Sequence, residues 1–341
     1  MRFSRASINF VFLFVLFPSF VFAQIPFVAK IDTRIDKQVD TIKLAAKAIK
    51  AWEADKYKEA ITGFDAAIKQ YPKEAELYAL RGLMKYYSDQ EQSAIKDMVK
   101  SFELSPQGVS HKNMLNYAFI ATYLWDTTAA LETFNALLQR PDSIEKETML
   151  AAYIGRGQTK AMMKNYDAAL EDYNTFFQKR STEDVDIRFL ALYVWTNWFL
   201  NKFSVVIDAS NTILTPPAPQ ELGNDLFVNV IQGLRGASKY YQKDYVGCIN
   251  DLTAIDKVSD LVFFDKNGEP IVMLQNDERN LCLAHSYLMT NNYAKAEKIY
   301  KTEIKKSPTF AATLRTDLQK FKEYGVTHPD LAKVEALLPT R

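Results

Sequence analysis

Apolar residues between positions 57 and 68 recur at helical spacing. Ala60, Phe64 and Ala67 fall on one face of a helix that Pro72 closes. Thirty-four residues on, Ala94 and Pro106 stand where Ala60 and Pro72 stood. A period of that length predicts an array of helical hairpins that grows by stacking, each hairpin burying its apolar face against the next. Two antiparallel helices that cross closely need a small residue on each at the crossing, because a bulky side chain forces them apart.

Seven such hairpins are legible when those small residues are set at the eighth and twentieth positions of each. The first, about 41–74, pairs Ala48 with Ala60, and the second, about 75–108, pairs Gly82 with Ala94. A glycine inside a helix costs roughly 1 kcal/mol relative to alanine, and close packing explains keeping Gly82. The third, about 110–143, pairs Ala118 with Ala130 and carries Phe134, and the fourth, about 149–184, pairs Gly157 with Ala169 and carries Tyr173. The fifth is weak, with Val194 and Val206, and runs into Thr215-Pro216-Pro217-Ala218-Pro219, a connector that is not helical throughout. The sixth pairs Gly236 with Cys248, and the seventh, about 277–309, has Ala284, Ala296, Tyr300 and Pro308. Between them, at about 258–276, apolar runs 261–264 and 271–274 flank an Asn267-Gly268 turn and predict a β-hairpin. Two closing helices within 310–341 then cover the open face of the last hairpin.

Period, small pairs and terminal prolines together resemble the tetratricopeptide repeat (TPR) family over about 38–340. The resemblance implies an all-α fold: an alpha-alpha superhelix, or TPR solenoid, of about seven helix-turn-helix repeats with a small hairpin insertion. It also implies a concave groove holding a segment of another protein. Carried across in register, the groove positions of the first helices are Trp52, Tyr86, Tyr87, Phe119, Tyr123, Trp195, Trp198, Phe199, Tyr240, Tyr241 and His285. The Lys and Asn clamp with which some family members hold a terminal carboxylate is missing, its places taken by residues such as Ala45, Ile49 and Asn116. A groove rich in rings suits an apolar or extended segment. The alternatives are rings that pack between helices, or a small-ligand or glycan-binding groove in which they stack on sugars.

One feature is internal to this chain. Arg-Gly-x-x-Lys occurs as Arg81 with Lys85, Arg156 with Lys160, and Arg235 with Lys239, in the second, fourth and sixth repeats. In each of these an aspartate lies on the second helix: Asp97, Asp172 and Asp251. The cations stand where a standard repeat has Leu and Tyr, so each set reads as a structural ion pair inside the helix stack. The repetition suggests duplication of a two-repeat unit. The rival reading is a row of cations facing a ligand's carboxylates.

With 11 Gly and 12 Pro in 341 residues, composition favours helices throughout. Residues 1–23 have the form of a signal peptide, with Arg2 and Arg5 before an apolar run that ends Val21-Phe22-Ala23. Residues 24–40 form a lead-in without repeat register. The export signal points to the periplasm first and the extracellular space second. The 42 basic and 41 acidic residues nearly balance, so nothing draws the chain to nucleic acid or anionic lipid. Cys248 and Cys282 read as two buried thiols, a disulfide being the alternative that Cα separation decides. His111, His285 and His328 are far apart in an array where distance in sequence means distance in space, which speaks against a catalytic triad or a metal site. The expectation is a non-catalytic scaffold for cell-envelope proteins, without cofactor.

Overall fold

The structure, a computed structural model, describes residues 43–104, 110–139, 144–180, 187–215, 225–255, 261–264 and 270–339. The leader at 1–23, the lead-in at 24–40, the proline connector at 216–219 and the hairpin turn at 265–269 lie outside the described residues. The chain divides into two compact units, one ending at Glu183 and the other starting at Asp184.

Unit one contains α1 (Lys43–Glu53), α2 (Tyr57–Gln70), α3 (Ala75–Tyr86), α4 (Glu91–Leu104), α5 (His111–Tyr123), α6 (Thr127–Leu138), α7 (Lys146–Met162) and α8 (Tyr166–Lys179). Unit two contains α9 (Ile187–Phe199), α10 (Phe203–Leu214), α11 (Asp225–Tyr241), α12 (Tyr245–Thr253), β1 (Leu261–Phe264), β2 (Pro270–Leu274), α13 (Asn276–Met289), α14 (Tyr293–Lys306), α15 (Pro308–Glu323) and α16 (Leu331–Glu335). The first helix of a pair lies on its own second helix and on the first helix of the next pair. Thus α3 packs on α4 and α5, α5 on α6 and α7, and α11 on α12 and α13.

Small residues set the crossings. A Cβ added to Gly82 would stand 2.9 Å from the Ala94 carbonyl oxygen, and one added to Gly157 would stand 2.5 Å from the Tyr173 ring. The buried faces follow helical spacing, as with Ala60, Phe64, Ala67 and Ile68 on α2. Several second helices begin at a side-chain cap: Asp126, Asn165, Asp244 and Asn292 each accept from the backbone N–H three residues on.

Every first helix ends in one turn type. Asp55, Asp89, Trp125, Lys164, Asn201, Lys243 and Asn291 all have φ between 55° and 63°. In the second repeat the Asp89 N–H donates to the Tyr86 carbonyl and the Gln90 N–H to the Lys85 carbonyl, and the other six turns repeat this scheme. Such a Schellman turn satisfies carbonyls that the helix end leaves unpaired, and it needs one left-handed residue. Gly325, at φ 66°, makes the same two bonds after α15.

That turn identifies the C-terminal segment. Leu318 lies thirty-four residues after Ala284, at the eighth position of an eighth repeat whose first helix is α15 and whose second is the short α16. Leu318 is buried, and so is Val334, at the register of Phe64 and Tyr300. The two expected closing helices are therefore a shortened repeat. Pro308, expected within repeat seven, opens α15 behind its cap Ser307, where a missing N–H is tolerated.

Between repeats six and seven, β1 and β2 pair antiparallel, Val262 opposite Val272 and Phe263 opposite Ile271. β2 lies against α11. Among the described residues no helix is long and apolar enough to cross a membrane.

Candidate partner-binding surface

The eleven ring and histidine positions carried into the groove divide by exposure. Phe119 and Trp198 are buried and His285 is fully buried, so these three belong to the core and not to an open wall. They lie on α5, α9 and α13, helices buried around most of their circumference, as Asn113 through Thr122 on α5 illustrate. Phe119 meets the Phe134 ring edge-on at 5.4 Å, and His285 lies against Tyr240, Tyr300 and Phe321. Trp52, Tyr86, Tyr87, Tyr123, Trp195, Phe199 and Tyr240 are half-buried, and Tyr241 is exposed.

In unit one the half-buried rings touch in sequence across three repeats. Tyr57 stacks on Tyr87 at 5.4 Å, Tyr87 meets Tyr86 at 5.8 Å, and Tyr86 meets Tyr123 edge-on at 5.8 Å. Unit two repeats the first contact in register: Phe203 stacks on Tyr241 at 4.4 Å, with Trp198 and Tyr240 beside it. Tyr57 and Phe203 were absent from the expected surface because they open second helices.

The three cation sets share one geometry. Arg156 donates through Nε and Nη2 to the two oxygens of Asp172 at 3.0 and 2.5 Å, and Lys160 Nζ lies 2.8 Å from the same carboxylate. Arg81 with Lys85 meets Asp97 in this way, as does Arg235 with Lys239 at Asp251. The remaining nitrogen, Nη1, donates to the second helix of the preceding repeat: to Asp65 at 2.7 Å, Asn135 at 2.8 Å and Asn211 at 3.0 Å. Each guanidinium fork therefore ties two consecutive repeats, and all three of its nitrogens are engaged internally. The sequence reading missed Asp65, Asn135 and Asn211. Each follows the eighth-position residue of an odd-numbered repeat by seventeen places, a register visible only once the arginines are paired.

His285 bonds through Nδ1 to the Tyr300 hydroxyl at 2.7 Å, and its Nε2 faces Asp317 at 3.6 Å without a hydrogen-bond partner. His328 contacts Asn291. Cys248 and Cys282 are free and buried, the Cys248 thiol donating to the Cys282 carbonyl across 3.9 Å. Burial pushes the Cys248 thiol up to about 11 and raises that of Cys282 well above its ordinary value. Since the thiolate is the reactive form, both should resist alkylation by iodoacetamide at pH 8 until the chain is unfolded. Rapid labelling of the native protein, read by mass spectrometry, would contradict their placement.

Eighth and twentieth positions meet within the pairs, first helices pack on first helices, and a thirty-four-residue step separates Ala48 from Gly82 and Ala284 from Leu318. The fold is the TPR fold. Among solved structures, this chain is similar to a tetratricopeptide repeat protein from Parabacteroides merdae, at 13% identity and TM-score 0.47, over 87% of this chain and 97% of that one. It is also similar to a chain of the Naa15/Naa10 structure bound to HypK-THB, at 12% identity and TM-score 0.39, over 87% of this chain and 44% of that one. A third likeness is to the TPR domain of P58(IPK), at 16% identity and TM-score 0.33, over 76% and 66% of the two chains. No protein-family profile matches the chain, and no curated protein does.

Proposed function

We propose that the protein is a non-catalytic scaffold of the cell envelope that holds an extended segment of another protein against its half-exposed rings. The observation that carries this reading is the unbroken contact from Tyr57 through Tyr87 and Tyr86 to Tyr123, which lays aromatic surface across three repeats. Half-buried rings held by their neighbours lose little freedom when a partner covers them, and such residues dominate interface energetics. The leader-like segment at 1–23 supports export, with Gln24 as the mature N-terminus.

The test is capture from a cell-envelope fraction, followed by reconstitution with the purified partner. Replacing Tyr87 and Tyr123 together by serine is expected to weaken that complex by at least about tenfold, the scale of an aromatic hot spot. Unchanged affinity would remove the ring surface from the interface. Binding on a glycan array without any protein partner would favour the sugar-stacking alternative instead. The hairpin at 261–274 has a place here through edge pairing with a partner strand. Deleting it should abolish capture and preserve helical circular dichroism, and retained capture would end its docking role.

A further inference from the structure

Buried carboxylates in this protein are matched by donors. Asp97, Asp172 and Asp251 hold two cations each. Glu76, at the second position of repeat two, accepts from the Asn113 amide and the Ser110 hydroxyl. Glu278 occupies that same position in repeat seven, half-buried on α13, and is matched by no cation among the described residues. Its hydrogen bond comes from the Tyr241 hydroxyl at 3.0 Å. Burial pushes the Glu278 carboxyl above the usual range, the Tyr241 hydrogen bond offsets part of this, and the nearby Asp317 adds to it. Arg279, next in sequence, is turned away to the Leu252 and Ile255 carbonyls.

Asp317, on α15, is hardly better served. Lys320 Nζ stands 3.9 Å off, beyond hydrogen-bond range, at the exposed margin. A second observation shows the place to be incomplete: the imidazole of His285 is fully buried, yet its Nε2 lacks a hydrogen-bond partner and is aimed at Asp317 Oδ2. Beside the two carboxylates lies the Tyr241 ring, exposed although backed by Phe203 and Trp198.

We propose that Glu278, Asp317 and the Tyr241 ring form a receiving site in unit two for one basic side chain, lysine or arginine, of a partner's peptide segment. This rests on the scaffold reading and names the partner's chemistry. A cation here makes charge-assisted hydrogen bonds to carboxylates already stripped of part of their water, where attraction is stronger than at a free surface. It also lies along a ring face that attracts positive charge. The occupant is a side-chain cation and not a metal ion, since the described residues assemble no set of three metal ligands at this place.

The test uses the full chain and two fluorescein-labelled peptides, Gly-Phe-Arg-Phe-Gly and its Gln counterpart, in fluorescence anisotropy. The arginine peptide should bind at least about tenfold more tightly than the glutamine one, and Glu278→Gln and Asp317→Asn should each remove that preference. In the unmutated protein the arginine peptide should also shield Glu278 from carbodiimide coupling, a readout that needs no variant to fold. Equal binding of the two peptides, a preference that survives both substitutions, or unshielded Glu278 would overturn the proposal. Equal binding of both peptides would leave the scaffold reading standing, whereas absence of any binding by the arginine peptide would overturn the proposal too and leave the scaffold reading to be decided by the envelope capture.

Discussion

Asp172→Ala is expected to lower the free energy of unfolding by about 3–5 kcal/mol, because it removes the shared anion of two cations that stay largely inside the stack. The Asp172 side chain is 4% exposed, and Arg156 and Lys160 are 20% and 22% exposed. Without the carboxylate the two positive charges repel each other across a poorly solvated gap, and Arg156 keeps the neutral Asn135 amide oxygen and the Tyr153 ring but no anion among the described residues. The loss should show in urea unfolding as a lower midpoint with an unchanged slope. Replacing Arg156, Lys160 and Asp172 together by apolar residues of similar volume should restore most of it, since a buried ionic set is costly to break but not costly to exchange for packing. A midpoint equal to wild type for the single variant would mean that the set contributes nothing to the fold. The test also bears on the two-repeat hypothesis, because each arginine binds the preceding repeat as well as its own. Arg156→Met should therefore weaken the join between repeats three and four more than Lys160→Met does.

The helix-pair architecture was legible because most of the crossings carry small side chains, visible as Ala60, Ala94, Ala130 and Ala169 whatever surrounds them. The spacing of arginine, lysine and aspartate was legible for a similar reason: a charge inside a stack stands out from the apolar residues that usually occupy it. The turns were not legible. Their left-handed residues are Asp, Trp, Lys and Asn instead of glycine, so a search for glycine finds only Gly325. The eighth repeat was hidden because Leu318 and Asp330 replace the small pair, and a crossing without small residues leaves no mark in the sequence.

The candidate surface was half legible. Register shows which face of a first helix a residue occupies, but it does not show whether a neighbouring helix covers that face. A clue was present in the sequence, since Phe119, Trp198 and His285 lie in runs without a charged residue, such as Met114 to Ile120. The tyrosines that stay half-exposed end helices that carry charge, Lys85 before Tyr86 and Lys239 before Tyr240 among them.

Phe310→Ala is expected to cost about 3–5 kcal/mol and to act beyond its own helix. Phe310 is fully buried near the start of α15, where Ser307 caps the helix and its hydroxyl donates to Asp277 of α13 at 2.7 Å. Leu314 and Leu318 continue the same buried face and Val334 of α16 is buried as well, so α15 contributes core and not a mere cover. Truncating the ring leaves a cavity between α15 and the helices that it packs on, α13 and α14. Hydrogen exchange should then speed up in 276–306 as well as in 308–335, because neighbouring repeats share their interface energy. Exchange in 43–180 should stay as in wild type. If only 308–335 loses protection, the segment is a detachable lid, and the eighth-repeat assignment fails even though its turn keeps the form of the other seven.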